Sequence, residues 1–161
     1  MFEEGVLDPE RHDRNGFSCA VPALDDYLKR FAVQHRRKGI SNVYVLVENA
    51  APSLILGYYT LSAAQVDGAG LSPADQTGLP RFPVPCIRMG RLACRVDRKG
   101  QGLGKLLVSG AVRRCMEARR QIAAYALVVD AKDETAKKFY EHYGFKPCTD
   151  LPLTLYLPFG R

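Results

Sequence analysis

The stretch "RKGQGLGKLL", residues 98–107, packs Gly100, Gly102 and Gly104 into five positions and runs straight into a helical pattern. The strand-like "CIRMGRLACRV" (86–96) precedes it. A glycine-dense turn between a strand and a helix aims several backbone N–H groups at one place, at the positive end of the helix dipole. Such a nest suits phosphate. Glycines supply left-handed backbone, expected here at Gly102 and Gly104, and let a bulky pyrophosphate approach without meeting a Cβ. A tight turn with no ligand accounts for the glycines equally well, so the loop by itself leaves both readings open.

Spacing excludes two nucleotide-binding alternatives. A Walker loop needs GxxxxGK followed by Ser or Thr, whereas Gly104 and Lys105 are followed by Leu106 and position 99 is a lysine. The dinucleotide fingerprint GxGxxG fails because the residue that should complete Gly102-x-Gly104-x-x is Leu107.

At 161 residues the chain is expected to form one domain over 1–161, with a core large enough to need no disulfide or metal. Its longest purely apolar run, Ile122 to Val129, is far short of a membrane span, and the acidic N-terminus does not look like a signal peptide, so a cytoplasmic protein is expected. The five cysteines form no CxxC pair, and the three histidines lie scattered without ligand spacing, which predicts free thiols and no metal. A net charge of +6 and a pI near 9.2 favour acidic partners.

Along the chain, "PALDDYLKRFAVQHRRKG" places Leu24, Tyr27, Leu28, Phe31 and His35 on one helical face, with Pro22 near its start and Gly39 at its end. Segments 42–48 and 54–66 read as an antiparallel hairpin, and 67–85 as a long connection with a short helix beginning at Ser72. Residues 86–96 form a strand, and Leu103, Leu106, Leu107, Gly110, Ala111 and Cys115 mark one face of a helix ending near Arg120. The strand "IAAYALVV" follows, then the helix "DETAKKFYEHYGF" and a last strand, "LPLTLYLP". The predicted order is α, β, β, β, α, β, α, β.

These residues resemble the GNAT superfamily of N-acetyltransferases. Its acyl-CoA loop, Q/R-x-x-G-x-G/A, falls on Lys99, Gly100, Gln101, Gly102, Leu103 and Gly104, after the strand the family places there, and "AKKFYEHYGF" is similar to its A-x-x-F-Y-x-x-x-G-F segment. Lys99 departs from the usual Gln or Arg, and offers phosphate a point charge without a planar fork of donors. The resemblance covers the whole chain. It implies an α/β (α+β) fold in which helices flank a mixed, twisted central sheet with splayed fourth and fifth strands. It also implies acetyl-CoA as acetyl donor. Pantetheine would pair with backbone near Cys94, Arg95 and Val96, and pyrophosphate would rest on residues 99–105, Lys105 included. The thioester would point toward Tyr140 as the catalytic residue, a position that helical spacing from Ala136 alone would assign to the core.

A narrower resemblance, carried by "FSCAVPALDDYL", "GYYTLSAAQV" and "PVPCIRMGRLACRVDRKGQGLG", is to the tRNA-acetylating GNAT toxins of bacterial toxin–antitoxin modules. Ala20 stands where that group commonly has glycine. This resemblance implies acetyl transfer to the α-amino group of an aminoacyl-tRNA, a block of translation, and a ribbon-helix-helix antitoxin; it leaves a homodimer open. Basic clusters on the first helix, on strand 86–96 and at 113–120 are the expected tRNA surface, with Arg36, Arg37, Arg91 and Arg95 the preferred contacts. An acetyltransferase for small amines or protein N-termini, and a CoA-binding regulatory module without turnover, are the competing readings.

Overall fold

A computed structural model describes residues 1–80 and 83–160. Its sheet has seven strands in the order β1-β2-β3-β4-β5-β7-β6. These are β1 (Phe2–Val6), β2 (Asn42–Glu48), β3 (Gly57–Val66), β4 (Val84–Cys94), β5 (Ala126–Asp130), β6 (Lys146–Pro147) and β7 (Thr154–Pro158). The helices are α1 (Pro22–Asp26), α2 (Ala32–Arg37), α3 (Pro73–Gln76), α4 (Leu103–Ala118) and α5 (Glu134–His142). The sheet is mixed: β4 and β5 run parallel, while β1 with β2, β2 with β3, and β5 with β7 are antiparallel. The predicted hairpin is present, with Val43 opposite Thr60 and Val45 opposite Tyr58. Parallel pairing of β4 with β5 runs from Ile87↔Leu127 to Met89↔Val129, and β4 continues beyond it to Cys94.

The chain divides into two compact units. The first comprises Met1–Ser62 and Gly90–Arg113, with Phe17, Leu28, Ala32, Val43, Val45 and Tyr58 in its core. Phe17 meets the edge of Tyr58 with centroids 5.7 Å apart, and the Tyr58 hydroxyl donates to the Leu24 carbonyl at 2.6 Å. α4 packs tightly here, because a Cβ on Gly57 would lie 2.8 Å from Leu107 Cδ1 and 2.9 Å from the Ala93 carbonyl. The second unit comprises Ala63–Met89 and the chain from Arg114 onward, with Leu71, Val84, Ala126, Val128 and Tyr156 in its core. Its connector is fastened through Asp75, which accepts from Tyr156 Oη at 2.6 Å, Ser72 Oγ at 2.9 Å and Lys146 Nζ at 3.0 Å. Those donors, Tyr156 foremost, hold the Asp75 carboxyl below the usual carboxylate range.

Several elements differ from the sequence expectation: β4 spans Val84–Cys94 instead of 86–96, the two-residue β6 is absent from the predicted order, and Leu106, expected on the apolar face of α4, is exposed. The acidic "FEEGV" forms β1, an edge strand whose pairing with β2 is not visible as local alternation. Residues 122–125 precede β5 instead of belonging to it, and Ile122 is exposed. The first helix contains a π-helical turn over Tyr27–Phe31 between α1 and α2. That extra residue moves Phe31 outward and puts Ala32 into the core.

Candidate functional site

In the first unit, β4 ends at Cys94 and a single 3₁₀ turn, Val96–Arg98, leads to the glycine loop. Gly100 (φ +84°) and Gly102 (φ +73°) are left-handed, and nothing lies within 4 Å of a Cβ built on either. Both are exposed, as are Lys99, Gln101 and Lys105. α4 starts at Leu103, which is buried and pins the helix end, and its first regular bond runs from Leu106 N–H to the Gly102 carbonyl at 3.2 Å. By helix geometry the N–H groups of Leu103, Gly104 and Lys105 have no carbonyl four residues back. Open left-handed glycines, unspent first-turn donors and two exposed lysines fit a pyrophosphate. Gly104 differs from the expectation: it lies inside α4 and its φ is not positive.

The strand end is more committed than the sequence suggests. Arg95 N–H donates to the Leu56 carbonyl at 2.7 Å and Val96 N–H to the Ser18 carbonyl at 2.8 Å. Pantetheine pairing at Cys94, Arg95 and Val96 is therefore left to the other backbone groups of this segment. Ser18 belongs to the turn that precedes α1, where Ala20 is left-handed (φ +69°). This conformation costs an alanine roughly 1–2 kcal/mol.

The four arginines expected to contact tRNA differ in their surroundings. Arg36 and Arg37 are exposed in the last turn of α2; Arg36 also reaches the Leu7 carbonyl at 3.4 Å. Arg91 rests on the Tyr27 ring, its guanidinium carbon 3.6 Å from the centroid. Arg95 is 8% exposed, with Nε donating to the Ile55 carbonyl at 2.9 Å, one terminal nitrogen buried without a partner, and the ring of Phe17 alongside. A guanidinium enclosed in this way offers no surface to a nucleic acid.

In the second unit, α5 opens with Asp133 accepting from Ala136 N–H at 2.8 Å and ends at left-handed Gly144. This frame holds Tyr140, which is 8% exposed and meets Phe139 and Phe145 edge-on at 5.2 and 5.4 Å. Asp130, at the end of β5, is ion-paired with Arg88 and accepts from Thr154 Oγ1 at 2.9 Å. With both oxygens engaged, Asp130 is poorly placed to act as a general base. No carboxylate lies on β4.

The thiols are inert. Burial pushes Cys19 and Cys86 up to about 11 and Cys115 to about 12, and it raises Cys94 and Cys148 as well. None is a thiolate near neutrality, so the chain has no activated cysteine for a covalent acyl intermediate. Among the described residues, no group of three or more His, Cys, Asp or Glu could hold a metal.

Residues 41–147 match the acetyltransferase (GNAT) domain family. The chain belongs to that family. It is 35% identical over 147 residues, 90% of this chain and 85% of the relative, to a "tRNA-acetylating toxin" of Mycobacterium tuberculosis (strain ATCC 25618 / H37Rv). Among solved structures, AtaT complexed with acetyl-methionyl-tRNAfMet superposes with a TM-score of 0.91 at 30% identity, covering 98% of this chain and 95% of that one. A tyrosine-to-phenylalanine mutant of the AtaT toxin, bound to the C-terminus of the antitoxin AtaR and acetyl-CoA, gives 0.82 at 28% identity, covering 98% and 93%. The mixed α/β fold expected of a GNAT protein is the fold observed.

Neither the Arg91–Tyr27 contact nor Arg95's burial is visible in the sequence. Both are long-range contacts without a local pattern.

Proposed function

We propose that this chain is an acetyl-CoA-dependent N-acetyltransferase that modifies the α-amino group of aminoacyl-tRNA and thereby acts as a toxin against translation. The observation that carries the reading is the near-full-length match to a tRNA-acetylating toxin, in a chain whose own glycine loop is open, left-handed and seated at a helix N-terminus. Acetyl-CoA supplies an activated acetyl thioester. The proposed binding residues are Lys99, Gly100, Gln101, Gly102, Leu103, Gly104 and Lys105 for the pyrophosphate, with backbone at Cys94, Arg95 and Val96 for pantetheine. One catalytic domain over residues 1–161 carries the reaction.

The acid–base inventory supports this acceptor. A lysine side chain of pKa ~10.4 is almost wholly protonated at neutral pH and needs a base, whereas an α-amino group near 7.7–8.0 supplies a sizeable fraction of free amine unaided. β4 carries no carboxylate and Asp130 is occupied, so an acidic amine suits this chain. Attack on the thioester is direct, since no thiol is activated. Tyr140 is proposed to hydrogen-bond or protonate the leaving thiolate, and exposed Arg36 and Arg37, with Arg91, to engage tRNA phosphates.

An antitoxin-bound relative supports a protein partner, which we assign to the ribbon-helix-helix class. A translation substrate also implies the cytoplasm; among the described residues no helix is long and apolar enough to cross a membrane. The direct test offers radiolabelled acetyl-CoA to the purified protein with charged tRNAs, deacylated tRNA, and free amino acids or peptides. Label retained on charged tRNA alone is expected. Label on free amines but none on tRNA would replace this reading with the small-amine enzyme, and no turnover at all would favour the CoA-binding module.

A further inference from the structure

Seven arginines among the described residues are half-buried or more: Arg14, Arg88, Arg91, Arg95, Arg98, Arg114 and Arg119. Arg14, Arg95 and Arg119 donate to backbone carbonyls, while Arg88 and Arg98 face Asp130 and Glu48, and Arg114 is also engaged. Arg91 alone has neither a hydrogen bond nor an ion pair within the described residues. What holds it is the Tyr27 ring at stacking distance, 3.6 Å. A guanidinium seated on an aromatic face is desolvated on that side, restricted in rotation, and keeps its N–H edge for an outside acceptor.

Tyr27 is itself locked. Its hydroxyl lies 3.0 Å from His35 Nδ1, and the two rings meet edge-on at 5.3 Å. In a regular α-helix His35 would stand about 80° round the axis from Tyr27; the extra residue of the π-turn reduces this to about 20°. The π-turn thus aligns His35 with Tyr27. Buried at 4% exposure, Tyr27 in turn presents a fixed face to β4. Arg91 stands three residues before Cys94, the end of β4, or roughly 10 Å along the strand.

On the functional reading above, we propose that Arg91 is the anion-binding group for a phosphodiester of the acceptor's aminoacyl end, with Tyr27 as its positioning residue. This pair gives the enzyme its preference for an aminoacyl nucleotide chain over a free amine or an aminoacyl nucleoside. The carbon skeleton of the amino acid is not read here. A fixed guanidinium fork recognises the phosphate oxygens, and its preorganisation avoids the rotamer entropy that a free arginine would lose.

The test compares steady-state kinetics on two acceptors carrying the same amino acid, chosen as the best substrate from a panel: charged tRNA, and the aminoacyl-adenosine that lacks every phosphodiester. Arg91→Gln is expected to raise KM for the charged tRNA about tenfold, with kcat and acetyl-CoA affinity unchanged. It should lower the salt slope of tRNA binding by about one unit and leave aminoacyl-adenosine kinetics as in the wild type. Tyr27→Leu should move KM in the same direction, while Tyr27→Phe, which keeps the ring, should restore it. Arg91→Gln is read first, because Tyr27 is a core residue. Unchanged KM and salt slope in Arg91→Gln would overturn the Arg91 assignment while leaving the tRNA acetylation standing. Equal loss on both acceptors would also overturn it, since the group would then act on the amine end. A wild-type protein that acetylates no charged tRNA would remove the functional reading itself, and this inference with it.

Discussion

At the scale of single residues, the proposed chemistry rests on Tyr140, because the cysteines and Asp130 are otherwise disposed. The five thiols are pushed up by burial, β4 has no carboxylate, and Asp130 is tied to Arg88 and Thr154. Expelling a thiolate whose parent thiol has a pKa of ~8.5 asks for a hydrogen-bond donor. An ordinary phenol is the weaker acid by about 1.5 units, so complete proton transfer is uphill by ~2 kcal/mol and much of its value lies in bonding the developing charge. The hydroxyl should then matter in the transition state more than in the ground state. Tyr140→Phe, which keeps the ring packed on Phe139 and Phe145, is expected to lower kcat about 10²-fold or more, with acetyl-CoA affinity by calorimetry and Tm nearly unchanged. Full activity in the folded mutant would assign the ring to packing alone. The sequence marks Tyr140 only through resemblance, since helical spacing reads equally well as core, and its low exposure agrees with both roles. Arg95 is the opposite case. Expected as a tRNA contact among the basic residues of strand 86–96, it is enclosed by Phe17 and Ile55, contacts no local pattern could announce.

At the scale of elements, sequence reading worked where one element satisfies its own needs and failed where a partner decides. The β2–β3 hairpin, α4 and α5 are legible because apolar periodicity, caps and glycine stops lie within each segment. β1 is not, because "FEEGV" becomes a strand only by pairing with β2. Nor is the π-turn, whose single extra residue follows from where Tyr27 and Ala32 must pack. The strand–loop–helix element carries a sharper prediction. Gly102 is left-handed and open, whereas Gly104 already belongs to α4. Gly102→Val should therefore abolish acetyl-CoA binding, by straining the turn and placing methyl groups where phosphate approaches. Gly104→Ala should bind acetyl-CoA and hold or raise Tm, because alanine is worth up to about 1 kcal/mol over glycine inside a helix. Calorimetry and melting curves on the pair decide it. Wild-type affinity in Gly102→Val would remove the loop from the acetyl-CoA site, and loss of binding in Gly104→Ala would show that the phosphate passes against the helix's first turn.

At the scale of the whole molecule, the net charge of +6 sets a long-range field that favours a polyanion, but several of the individual cations are accounted for by local partners. Arg88, Arg98 and Arg30 sit on carboxylates, and Arg119 on a backbone carbonyl. The end of α2 is different. Arg36 and Arg37 are exposed there, and neither pairs with a carboxylate among the described residues. Helix-dipole stabilisation alone would justify two bases in a last turn, so their presence does not settle the matter, but the response of tRNA binding to salt does. Each phosphate neutralised releases counterions and contributes roughly 0.7 to 0.9 to the slope of log affinity against log salt. Reversing both charges, Arg36→Glu with Arg37→Glu, should therefore flatten that slope by about one and a half to two units and weaken binding most at low salt. Arg36 also donates to the Leu7 carbonyl, so the single Arg37→Glu variant, which breaks no such bond, should give about half the change without affecting Tm. Fluorescence anisotropy of labelled tRNA between about 50 and 200 mM salt reads both. An enzyme for small amines would show no tRNA slope to flatten. A steep slope that survives both variants would move the nucleic-acid surface away from the end of α2 and onto the remaining exposed cations.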